Sequence, residues 1–207
     1  MHAQDRPTVY QQLEALPEGL TGEILDGQLH TQPRPSGRHG RASSILEDAL
    51  FGPYDRGRGG PGGWWIFIEP EIHFRRDLEV AVPDLAGWRR ERMPVIPEGH
   101  RFEVAPDWVC EILSKSSASK DRDIKMPIYA RYGVAYAWLV DPLARTLEAY
   151  ALEGRAWRKI ACHAENDEVT LPPFDAVTLA IADLWASADT GLVESPELLE
   201  SVRLDQR

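Results

Sequence analysis

The sequence predicts an α/β (α+β) fold, a central mixed β-sheet flanked by helices, on three observations. Short runs rich in apolar, β-branched and aromatic residues span Trp64 to Phe74, Val80 to Trp88, Trp108 to Leu113 and Val134 to Val140, as strands covered on both faces require. Two stretches, from Ala42 to Leu50 and from Asp123 to Tyr132, read instead as helices between those strands. Asp26-Gly27 and Glu153-Gly154 interrupt apolar runs with dipeptides that tolerate the positive φ of tight hairpins, so antiparallel pairs join the mixture.

In chain order, Tyr10, Leu13 and Leu16 line one face of a short helix over Thr8 to Leu16, and Glu23 to Leu29 forms a β-hairpin about Asp26-Gly27. Pro33 to Gly40 reads as a loop, followed by an amphipathic helix through Ala42, Ile45, Leu46, Ala49 and Leu50 that ends near Gly52. The glycine-rich Gly57 to Gly63 lacks the lysine and following helix of a phosphate cradle and is a connector. Trp64 to Phe74 and Val80 to Trp88 are two paired strands, with Asp84 inside the second. Arg89 to Phe102 is an excursion. Trp108 to Leu113 is a nearly continuous apolar strand whose one charge is Glu111. Pro127 delays the regular part of the next helix to about Lys125, and that helix closes at Gly133. A buried strand to Val140, a hairpin of Thr146 to Leu152 with Ala156 to Ala161, and a last strand or helix over Val177 to Ala188 complete one domain over residues 1–187, before an acidic tail over 188–207.

Composition narrows the function classes. Two scattered cysteines, Cys110 and Cys162, exclude a disulfide framework or a four-ligand zinc site. No basic leader and no apolar run of about 18 residues is present, so a cytoplasmic protein without a membrane span is expected. The net charge of -10 argues against a nucleic-acid partner only if it is spread evenly. It is not: residues 163–207 carry ten acidic residues against Arg203 and Arg207, leaving -2 for residues 1–162. Arginines 75, 76, 89, 90 and 92 flank Asp84, and Lys115, Lys120, Arg122, Lys125 and Arg131 follow Glu111. These describe either a basic surface beside an acidic pocket or ordinary solvated faces.

Asp84 and Glu111, at the ends of neighbouring buried strands, suit a hard divalent cation held through oxygen, and Lys125, 14 residues after Glu111, suits a role beside phosphate. Together they are a minimal phosphodiesterase set. Each has a plainer reading: Glu111 on a solvated strand face or against an arginine, Pro83-Asp84 as a turn, and Asp121–Lys125 as a surface pair on a helix face shared with Tyr129. A buried, unpaired Glu111 would cost several kcal/mol, which favours a compensating partner.

Several segments resemble the Uma-type restriction endonucleases of the PD-(D/E)XK nuclease superfamily. They are Glu23-Ile24-Leu25-Asp26-Gly27, His39, Pro83-Asp84-Leu85, the block from Pro106 to Ser114, Asp121 with Lys125 and Tyr129, and Gly133-Val134 leading to Trp138-Leu139-Val140-Asp141-Pro142. The resemblance covers most of residues 10–185. It implies a restriction-endonuclease-like core and cleavage of DNA with Mg²⁺, for which Mn²⁺ should substitute. The metal would lie between Asp84, Glu111 and the carbonyl of Ile112. The superfamily's lysine stands two residues after the second acid, where this chain has Leu113; a lysine migrated to the next helix matches Lys125 and would orient the attacking water. Glu23 is carried as an additional acid and His39 as a loop histidine. One site per chain would favour a homodimer for cutting both strands. Two other readings stay open: a catalytically silent module of this fold that binds or assembles, and a metal-independent hydrolase using Asp84 and Glu111 as acid and base.

Overall fold

A computed structural model describes residues 6–31 and 35–185. The acidic segment 188–207 lies outside the described residues, as does the end of the last expected element. Within them, α1 (Val9–Glu14) is closed by a capping box between Thr8 and Gln11. The hairpin β1 (Gly22–Leu25) and β2 (Gln28–Thr31) turns through Asp26 and Gly27, at φ of 47° and 75°. The amphipathic helix α2 (Gly37–Leu50) starts earlier than its apolar spacing suggested. Ser36 accepts from the His39 amide at its N-cap, so Gly37 to Gly40 belong to its first turn rather than to a loop. It continues into a π-helical turn, Phe51–Asp55.

The two long apolar runs after the glycine connector each divide. The first becomes β3 (Trp64–Ile68) and β4 (Glu71–Arg75), the second β5 (Glu79–Ala81) and β6 (Leu85–Arg89). Strand β3 pairs with β6 and β4 with β5, but in different sheets. The breaks fall at Glu69-Pro70 and Val82-Pro83-Asp84, where proline removes a ladder donor. Asp84 therefore stands just before β6, at the seam between the sheets, rather than inside a strand.

Strand β7 (Arg101–Phe102) precedes β8 (Trp108–Ile112). The chain then forms a short turn of helix α3 (Ala118–Lys120), a π-helical turn Asp121–Lys125 and α4 (Met126–Arg131), with Pro127 accommodated in the first turn of α4. Next come β9 (Tyr136–Asp141), the hairpin β10 (Thr146–Glu153) and β11 (Ala156–Ala164), and a further hairpin, β12 (Glu168–Leu171) with β13 (Phe174–Ala180). A 3₁₀ turn, Ile181–Leu184, follows. The first sheet runs β2-β1-β5-β4-β7 and the second β11-β10-β9-β8-β6-β3, both mixed because β4 and β7 are parallel in the first and β8 and β9 in the second.

Strand β8 divides the core by its alternation. Trp108, Cys110 and Ile112 face Ala42, Leu46 and Leu50 of α2, with Phe174 and Trp138 beside them. Val109 and Leu113 face Met126, Ile128 and Tyr129 of α4 and the inner residues Leu25, Ile72 and Ala81 of the first sheet. Glu111 lies between Val109 and Leu113 in this alternation, on the α4 side, 2% exposed.

Candidate active site

The geometry begins at the seam. The single β1–β5 register pair, Ile24 with Val80, brings Glu23 beside the end of β5. There Glu23 Oε1 accepts from the Val82 amide at 3.0 Å. Asp84, two residues on, lies across from β8: its Oδ2 accepts from the Ile112 amide at 2.5 Å, and its Oδ1 meets His39 Nε2 of α2 at 3.0 Å. Glu111 is the residue before Ile112. Two sheets and one helix thus deliver Glu23, Asp84, Glu111 and His39 to one place. Ile112 reaches it through its amide, which orients Asp84.

Lys125 enters from the π-helical turn. Its Nζ is 2.8 Å from Glu23 Oε1, 2.9 Å from Glu111 Oε1 and 2.9 Å from the Val82 carbonyl. The ammonium is 1% exposed. Asp121, Lys125 and Tyr129, four residues apart, are all buried on one side of this helical segment, and the Tyr129 hydroxyl donates to Glu111 Oε1. The surface-pair reading of Asp121 and Lys125 is thereby excluded. On the outer side, Lys120 Nζ donates to Glu23 Oε2 at 2.7 Å.

Charge explains how the residues titrate. Burial alone would raise Glu23, but Lys125 and Lys120 outweigh it and hold its carboxyl at about 2. Burial pushes Glu111 well above the ordinary carboxylate range; Lys125 opposes this, while Asp121, Asp84 and Glu23 add to it. Asp121 is raised by burial as well, against Lys125. For Lys125, burial would release the proton, but Glu111 and Glu23 reverse that and keep it cationic. Burial would lower His39; the hydrogen bond and charge of Asp84 raise it instead.

Glu23 and Glu111 meet Lys125 directly, and Asp84 and Asp121 stand close enough to raise the Glu111 carboxyl further. That all-oxygen set fits a hard divalent ion. Among the described residues no three His, Cys, Asp or Glu side chains are grouped to enclose an ion, so a cation here would have at most two of these carboxylates as ligands and would need water for the rest. Asp84 and His39 open onto a cavity of about 350 Å³ whose walls include Thr21, Glu69, Ser114, Ser116 and Ser117.

A family model described as Uma2, putative restriction endonuclease, matches residues 8–182. The chain belongs to the Uma2 family. Within this Uma2 chain the match spans the whole assembly of seam, β8 and Lys125 helix. A crystal structure described as a putative nuclease from Anabaena variabilis superposes with a TM-score of 0.64 at 22% identity, over 87% of this chain and 98% of that one. At that identity the likeness bears on the fold, which is the restriction-endonuclease-like core expected from the sequence. No curated protein matches the chain.

Asp84, Glu111, Lys125 and Glu23, all anticipated from sequence, are brought together. His39 was misplaced: its position in the first turn of α2 and its contact with Asp84 make it part of the site. Tyr129 was visible as the i+4 neighbour of Lys125, but nothing in the sequence showed that its hydroxyl meets Glu111. Lys120 carried no distinguishing signal, because its partner Glu23 is 97 residues away.

Proposed function

We propose that this chain is a Mg²⁺-dependent endonuclease that hydrolyses phosphodiester bonds of DNA. The observation that carries the proposal is the Asp84–Ile112 hydrogen bond, which fixes the carboxylate of one strand end one residue from Glu111 on the next. Asp84 and Glu111, with the Ile112 carbonyl, would hold the cation, and Mn²⁺ would serve in its place. When bound, such an ion polarises a phosphate oxygen and lowers the pKa of a bound water.

The chain's own residues supply the rest. Lys125 and Tyr129 fix the rotamer of Glu111 and offset part of the cost of burying it. Glu23 in turn fixes Lys125, so the two acidic strand ends are joined through one ammonium. In this arrangement the three N–H bonds of Lys125 point to protein oxygens. Its part is therefore to position and charge-balance Glu111 rather than to reach the phosphate. His39 holds Asp84 from the cavity side. Two copies of the chain would cut both strands of a duplex.

Purified protein incubated with supercoiled plasmid should nick it with Mg²⁺ or Mn²⁺ and leave it intact in EDTA. Asp84→Asn and Glu111→Gln should each lower the rate by about 100-fold or more, the scale of losing a charge-stabilising group. Cleavage that persists in EDTA would favour the acid–base hydrolase; none under any condition would favour the silent module.

A further inference from the structure

Beside the Ser114–Ser117 turn lies a second depression of about 410 Å³. His30, Thr31, Ser116, Ser117, Ser119 and Lys120 line it, with Asp123 and Ile124. Ser116 and Ser117 are walls common to this depression and to the Asp84 cavity. We propose that this second depression seats a phosphate of the nucleic-acid strand next to the one being cut, with Lys120 as its cation. The inference rests on the nuclease reading above and extends it to how the substrate is held.

Charge and donor geometry carry it. The Asp84 cavity has no lysine or arginine among the described residues that line it, and it contains Asp84 and Glu69. A polyanion crossing that cavity must find its positive contact beyond it. Lys125 is not available, because its three donors end on Val82, Glu23 and Glu111 inside the protein. Lys120 spends one donor, on Glu23 Oε2, among the described residues, and its side chain is 18% exposed. Glu23 thus holds one lysine inward and one outward. Around the outward one stand hydroxyls and an imidazole, groups that contact phosphate oxygens in nucleic-acid interfaces. Asp123 lines the same depression, and its carboxylate accepts from Ser119 at 2.7 Å, which leaves Thr31, Ser116 and His30 as the neutral groups beside Lys120.

The test is fluorescence anisotropy with a labelled short DNA duplex and the matching single strand. Ca²⁺ replaces Mg²⁺ to suppress cleavage, and salt is varied from about 50 to 200 mM. Lys120→Gln should weaken binding at least about threefold at the upper salt and flatten the logarithmic salt dependence by about 1, the loss of one phosphate contact. Lys120→Arg should retain the slope. Ser119→Asp places a negative charge in the depression without touching Glu23 and should weaken binding about tenfold. A purely structural role for Lys120, confined to holding Glu23, would leave the slope unchanged. Wild-type slope and affinity in either Lys120→Gln or Ser119→Asp overturns the inference while leaving the nuclease reading intact. Wild-type protein that binds neither DNA at any salt overturns both.

Discussion

An ammonium buried between Glu23, Glu111 and the Val82 carbonyl stays charged only while those acceptors surround it. Removing it leaves two buried carboxylates without their counter-charge, which costs far more than the pair contributes net. Lys125→Met should therefore destabilise the chain by about 3–5 kcal/mol in urea unfolding; a loss below about 1 kcal/mol, the scale of an exposed pair, would show that the cage is not formed. A second residue-scale comparison concerns the aromatic core. Trp108 Nε1 is buried with no hydrogen-bond partner among the described residues, whereas Trp138 Nε1 donates to the Pro172 carbonyl at 2.9 Å. Both rings pack edge-on against Phe174. Trp108→Phe removes an unsatisfied donor and Trp138→Phe orphans an acceptor, so Trp138→Phe should be the more destabilising by about 1 kcal/mol. Equal unfolding midpoints would contradict this. At this scale the sequence was informative about Glu111, since one charge inside an apolar strand demands a partner. It was silent on which partner, because Lys125, Tyr129 and Glu23 converge only through tertiary packing.

Elements set where these residues stand. The π-helical turn that carries Lys125 is tied to the β10–β11 hairpin through Glu148, which pairs with Arg122 and Lys159 at 3.0 Å each and accepts from the Tyr150 hydroxyl. Burial would raise Glu148, but those hydrogen bonds prevail and hold it at about 2 against an ordinary 4.5. Because the folded pKa is depressed, the unfolded chain binds more protons across that window. The stabilisation is complete above about 4.5 and is lost as pH falls through about 2. Both cations are partly exposed, so screening reduces it to about 1 kcal/mol. Glu148→Gln should unfold at lower urea than wild type at pH 7, with the two curves converging near pH 2; a gap that persists there would refute the linkage. In the β1–β2 hairpin, Gly27 has φ of 75°, so Gly27→Ala should cost about 1 kcal/mol, measurable as a lower melting temperature. Hairpins and buried strands were legible from alternation and from the Asp26-Gly27 and Glu153-Gly154 turns. The division of the two long runs at Glu69-Pro70 and Val82-Pro83 was not, because each reads locally as one strand and only pairing in two sheets separates the halves. His39 was obscured in another way: proline and glycine nearby read as a loop, whereas Ser36 caps the helix three residues before it.

At the scale of the whole molecule, the architecture makes the site from a seam. Two ribbons cross from one sheet to the other, and at the crossing Asp84 meets β8 and α2 while the Val82 amide meets Glu23 of β1. The family and the mixed core were legible because the Pro106–Pro142 block keeps its motif spacing; the β12–β13 hairpin carries no comparable motif, and only the end of β13 was read, as a strand or helix from Val177. No helix among the described residues is long and apolar enough to cross a membrane. The central claim is that the carboxylates gathered at this seam hold a divalent cation for phosphodiester cleavage. Titration of Mn²⁺ into the protein, followed by calorimetry, tests it most directly. The account predicts saturable binding that Asp84→Asn and Glu111→Gln each weaken by at least about tenfold, with both variants still cooperatively folded. Absence of Mn²⁺ binding in the wild type, or binding unchanged in both variants, would contradict it.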